Sequence, residues 1–106
     1  MPAIDLPALR DRLGDDPELE GLVLGDFITQ VELLRQAMAG AGAETLRTHA
    51  HTLKGMALTV EARTLAEAAQ RVEALARAGG AMAEPLAALA AAADAAVAEA
   101  RALTAR

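Results

Sequence analysis

The 106-residue chain has no cysteine, no serine, no tryptophan and no tyrosine, and it has a single phenylalanine. Without cysteine there can be no disulfide, no thiolate metal site and no thiol nucleophile. With one aromatic ring it cannot build the stacking platform that usually grips single-stranded nucleic acid. A formal net charge of −5 further disfavours nucleic acid and anionic membrane as partners, and neither is expected. The N-terminus lacks a basic region followed by an apolar run, so no secretory signal is expected. The most apolar tract, Leu86 to Val97, is alanine-rich, interrupted by Asp94 and too short to span a bilayer. A soluble cytoplasmic domain follows as the default. Serine chemistry is absent outright, and neither Thr48 nor Thr52 has an oxyanion loop or strained turn beside it. No glycine-rich phosphate loop is present, so the chain has no evident means of holding ATP.

What remains is helix. The hydrophobic fraction is 54 %, much of it alanine, so a core must rest on scattered Leu, Val, Ile and Met. Asp5 is placed to cap a short first helix with Pro7 in its first turn and Leu6, Leu9 and Leu13 along one edge. Gly14-Asp15-Asp16-Pro17 stops it and opens a second helix, predicted to run from Pro17 to about Ala39. Leu24, Phe27, Ile28, Val31, Leu34 and Met38 form its core-facing stripe. After Gly40-Ala41-Gly42, a third helix is predicted from about Ala43 to Thr59, with Leu46, Ala50, Leu53, Ala57 and Val60 on one side. A fourth, roughly Ala62 to Ala78, turns Leu65, Ala69, Val72 and Leu75 inward and ends at Gly79-Gly80. A fifth starts near Glu84-Pro85 and carries Leu86, Leu89, Ala93, Val97 and Leu103. The expected fold is all-α: an antiparallel four-helix bundle with a short additional N-terminal helix, one domain over residues 1–106.

One stretch of the third helix departs from the bland pattern: His49-Ala50-His51-Thr52-Leu53-Lys54-Gly55. A glycine inside a helix costs roughly 1 kcal/mol relative to alanine, in a chain where alanine is everywhere. Gly55 lies one turn after His51 on the same face, and removes the nearest neighbour of that imidazole. At about 100° per residue, His51 falls about 130° from the centre of the apolar stripe and is the exposed histidine. His49 sits at the stripe's edge, a half-buried ring filling the side of the bundle. Two histidines two residues apart point about 200° apart and cannot chelate one ion, so no metal site is expected. A lone helical surface histidine is more often inert than functional. An accessible imidazole beside the ammonium of Lys54, with a gap made by Gly55, is suited to carrying a phosphoryl group: the ring nitrogen is nucleophilic near neutral pH and the cation offsets the added charge.

Ala50-His51-Thr52-Leu53-Lys54-Gly55 resembles the signature of histidine phosphotransfer (HPt) domains, four-helix carriers of two-component phosphorelays. The likeness covers roughly residues 20 to 78. Phe27 and the stretch from Leu33-Leu34 to Ala39 resemble the helix before the phosphorylation helix, while Leu65 and Val72-Glu73 stand where the family has a leucine and a hydrophobic-Glu pair. The resemblance implies that His51 is the phosphoacceptor, that Lys54 sits near it and that Gly55 makes room. It implies that Glu73 hydrogen-bonds the imidazole and favours the tautomer that leaves Nε2 free; a solvated charge is the plain alternative for Glu73. Leu58 and Phe27 are candidates for partner docking. The chain departs from the family pattern at Met56 and Leu58, where small or polar residues are common, and at Glu61, where glycine is common.

The function so implied is shuttling of a phosphoryl group between response-regulator receiver domains, supplied by a hybrid histidine kinase. The chain would be a carrier and not an enzyme, would act as a monomer and would need no cofactor, the Mg²⁺ belonging to the receiver. The Met1 start is what an independent protein would have. Two other classes stay open at this level: a non-phosphorylated adaptor that binds and inhibits a kinase or receiver, and a structural bundle or oligomerisation module, in which Gly55 would have no special role.

Overall fold

Two aspartates set the first two helices. Asp5 Oδ1 accepts from the Ala8 amide at 3.1 Å and starts α1, Leu6–Arg12. Asp16 Oδ1 accepts from the amides of Glu18 and Leu19 at 3.1 and 3.2 Å and starts α2, Pro17–Met38. In both helices a proline in the first turn removes an amide that would have lacked a partner. Between them Gly14 and Asp15 both take positive φ, 68° and 56°, which reverses the chain sharply. The computed structural model describes residues 2–105, and the remaining helices are α3, Ala43–Thr59, α4, Arg63–Ala78, and α5, Ala83–Thr104. The chain is all-helical, with no strand among the described residues. The expected helix boundaries hold to within a residue or two. α4 ends on Gly79 at φ 75°, and the Gly80 amide returns to the Leu75 carbonyl at 2.8 Å, the left-handed glycine stop read from Gly79-Gly80.

α2 lies beside α3 and α5, and α4 also lies beside α3 and α5, so the four long helices enclose one core. The expected stripe of α3 is buried throughout: Leu46, Ala50, Leu53, Ala57 and Val60. Leu24, Phe27, Val31 and Met38 of α2 meet them, with Ile28 and Leu34 half-buried at the flanks. Nine of the buried side chains are alanines, which let the helices approach closely but leave little volume per position. The weight of the core therefore falls on a few larger residues. Leu24, Leu53 and Leu65 are almost wholly enclosed, and truncating one to alanine should cost about 2–5 kcal/mol.

α5 buries a different seam from the one expected. Leu89 and Ala93 are inside, but the seam continues through Pro85, Ala96 and Ala100, while Leu86, Val97 and Leu103 stand half-buried at its edges. Small side chains occupy the line of closest approach and larger ones cover its flanks. In α4 the same correction applies to Leu75, which is half-buried, while Ala66 and Ala76 take core positions.

The N-terminal segment closes one end of the bundle. Ile4 and Leu9 are fully buried. The amides of Ala3 and Ile4 donate to the two carboxylate oxygens of Glu99 on α5, at 2.7 and 3.1 Å. The Asp5 amide donates to the Glu61 carbonyl at 3.0 Å, which ties the start of α1 to the turn between α3 and α4. Ion pairs of Arg35 with Asp94 and of Arg101 with Glu32 cross from α2 to α5. Among the described residues no helix is long and apolar enough to cross a membrane.

Candidate functional site

The outer groove between α3 and α4 brings together residues 22 positions apart. The stripe that buries Leu53 and Ala57 leaves His51 outside, with its side chain 66 % exposed. On α4, burial of Ala69, Val72 and Ala76 turns the next position, Glu73, toward α3. Glu73 Oε2 lies 3.0 Å from His51 Nδ1. A carboxylate can only accept, so the imidazole donates from Nδ1 and the lone pair on Nε2 faces outward. Glu73 is itself drawn in, with only 12 % of its side chain exposed. Lys54 Nζ stands 3.7 Å from its Oε1, and Arg77 Nη2 stands 3.6 Å from its Oε2. One carboxylate thus receives the imidazole and two cations, and its orientation is fixed from three sides. Solvated freely it is not.

Gly55 lies in the α3 interior with ordinary helical geometry, and a methyl group built there meets nothing within 4 Å. The bundle does not require a glycine at this position. The threonines near His51 are occupied: Thr48, Thr52 and Thr59 donate to the carbonyls of Glu44, Thr48 and Gly55 at 3.1, 3.2 and 3.0 Å. His49 is half-buried on another side of the helix, as the periodicity requires.

The model of the Hpt domain matches residues 18–103. The chain belongs to the Hpt domain family. Searches of curated proteins and of solved structures found no match. The Hpt match reaches from the first turn of α2 to the end of α5, so it includes every residue of the His51 groove.

The two residues expected at the docking face of this Hpt chain part company. Leu58 is exposed by 47 %. Phe27 is a correction: only 2 % exposed, it belongs to the core, because its place in the α2 stripe turns the ring inward. It contributes only to the wall of a cleft of about 340 Å³ between α2 and α3, with Leu22, Val23, Met56 and Val60. Met56 is half-buried there. Leu19, Leu22 and Leu33 are the exposed large apolar side chains of α2. Sequence reasoning did not find Arg77 beside Glu73, nor Arg12 in the neighbouring cleft that Lys54 also lines. Arg77 was accessible through its four-residue spacing from Glu73 on one helix. Arg12 pairs with Glu61 across 49 residues, and nothing local announces it.

Proposed function

We propose that this chain carries a phosphoryl group on His51 Nε2 between aspartyl-phosphate-bearing receiver domains of a two-component phosphorelay. The observation that carries this is the exposed imidazole held at Nδ1 by Glu73 with Nε2 left free. In the accepting step the Nε2 lone pair attacks phosphorus in line, the bond from phosphorus to the donor's aspartyl oxygen breaks, and the aspartate leaves as a carboxylate. The proton on Nδ1 stays in place. The ring gains positive character as the new bond forms, and Glu73 at 3.0 Å from Nδ1 stabilises that charge. Lys54 stands at the same groove to offset the phosphoryl oxygens. Transfer to the next receiver is the reverse of these events at a second aspartate.

In this role the whole chain works as one Hpt domain on an antiparallel four-helix bundle, with α1 as the short additional helix. It is a carrier without kinase or phosphatase activity of its own, and acts as a cytoplasmic monomer. The receiver supplies the Mg²⁺ and the acidic pocket, and a hybrid histidine kinase is the source of the phosphoryl group. The stiff α3 helix presents the imidazole, and the docked receiver closes over it to exclude water. The test is to incubate the protein with receiver domains loaded from acetyl phosphate. Acid-labile phosphate on wild type and none on His51→Gln supports the role; no transfer from any receiver contradicts it.

A further inference from the structure

Leu58 and Glu61 meet in one cleft beside the end of α3. Glu61 adopts φ 60°, a left-handed conformation in which a side chain crowds its own backbone and glycine alone fits freely. The residue is nevertheless well anchored. Its carboxylate, 11 % exposed, lies 2.8 Å from Arg12 Nη2 and 3.7 Å from Arg63 Nε. Its carbonyl holds the Asp5 amide. Glu61 therefore fixes a guanidinium from α1 and another from α4 on either side of the α3 end.

The resulting cleft measures about 440 Å³ and is lined by Arg12, Lys54, Leu58, Arg63, Glu67 and Gln70, besides Glu61 and Ala66. Leu58 is the exposed leucine within it. It follows His51 by seven residues, two helical turns, which places it on the same face about 10 Å along the axis. Lys54 joins the two regions, since it lines the cleft and pairs with Glu73. Each guanidinium has five donors, and one shared carboxylate leaves most of them free; the Arg12 and Arg63 side chains are 52 % and 72 % exposed. Charge is also unevenly distributed over the molecule. The α3–α4 hairpin, residues 43–78, carries five cationic residues against four carboxylates, whereas the rest of the chain carries five against eleven. An acidic partner is attracted to this side and repelled from the others.

We propose that this cleft is a specificity subsite: the receiver that exchanges phosphate with His51 seats there an apolar side chain flanked by carboxylates, packed on Leu58 and paired with Arg12 and Arg63. The inference rests on the carrier role proposed above and adds the chemistry by which one receiver is preferred. The probes are receiver domains loaded from acetyl phosphate, with phosphoramidate as a small donor that needs no docking. Leu58→Gln, Arg12→Gln and Arg63→Gln are compared with wild type, each checked by thermal melting. The expected result is an unchanged phosphoramidate rate in all three, with receiver-to-His51 kcat/KM lowered about tenfold and a shallower salt dependence in the arginine variants. Arg63→Gln keeps the trial decisive even where Arg12→Gln loosens α1. Wild-type transfer from the preferred receiver in both Leu58→Gln and Arg63→Gln would overturn the subsite, as would an equal loss with phosphoramidate, which would mark a structural effect. Failure of wild type itself to take phosphate from any receiver would overturn the carrier role and the subsite together, and is told apart because no variant is needed to see it.

Discussion

Replacing Gly55 should move stability and function in opposite directions. The position lies inside α3, four residues short of its end, and an added Cβ meets nothing within 4 Å. No steric term opposes the change, so helix propensity sets its size: Gly55→Ala should stabilise the protein by roughly 1 kcal/mol. For a domain of this length that corresponds to a rise in Tm of about 4–8 °C. Leucine has nearly the propensity of alanine and would point into the same open space, so Gly55→Leu should also hold or gain stability. Both variants put atoms one turn from His51, where an approaching receiver must close on Nε2. Small displacements of reacting groups are costly, and transfer should slow about tenfold for alanine and about a hundredfold for leucine. The assays are a far-UV circular dichroism melt, suited to a chain without Trp or Tyr, and a time course of transfer from a phosphorylated receiver. A lower Tm for Gly55→Ala would show that the fold needs the glycine. Undiminished transfer in Gly55→Leu would show that it clears no docking surface.

Other expectations concern single residues. His51→Gln should abolish phosphorylation and stay within about 0.5 kcal/mol of wild-type stability, whereas His49→Gln should keep most of its phosphate; equal loss in both would overturn the assignment of faces. Glu73→Gln should slow transfer by about tenfold or more, since it removes the charge at Nδ1 and its amide can donate there and favour the wrong tautomer. Nitrogen NMR of the His51 ring would check this, by a shift away from the Nδ1–H form. At position 61, glycine and alanine should differ by about 1 kcal/mol in favour of glycine, because both lose the two ion pairs of Glu61 and only alanine keeps the left-handed strain. Melting curves that rank alanine above glycine would show that the turn does not retain its φ of 60°.

The sequence was most legible where large and small residues alternate with a clear helical period. In α3 the leucines and one valine fixed the buried side, and the placement of both histidines followed from it. In α5 the same reasoning slipped, because a run of alanines offers many equivalent stripes and the larger residues Leu86, Val97 and Leu103 ended at the flanks. Phe27 fits both the core stripe by its spacing and a docking face by the family resemblance, and one ring cannot serve both; its burial follows the stripe. The contact of Glu73 with His51 has no local signature, being made between two helices, and only the resemblance to the family suggested it. Ile4, which seals the end of the bundle, was missed because it stands outside any periodic segment. The hold of Glu61 on Arg12 and Arg63 needs the turn's own geometry, and no spacing rule contains that.

Which ring nitrogen carries the phosphoryl group is the most direct measurement. The protein, labelled with nitrogen-15 in histidine, is phosphorylated by a receiver and its two imidazoles are followed by NMR. Phosphorylation at His51 Nε2, with Nδ1 still protonated toward Glu73 and the His49 signals unmoved, is the predicted result. Phosphate on His51 Nδ1, on His49, or on neither ring would contradict it.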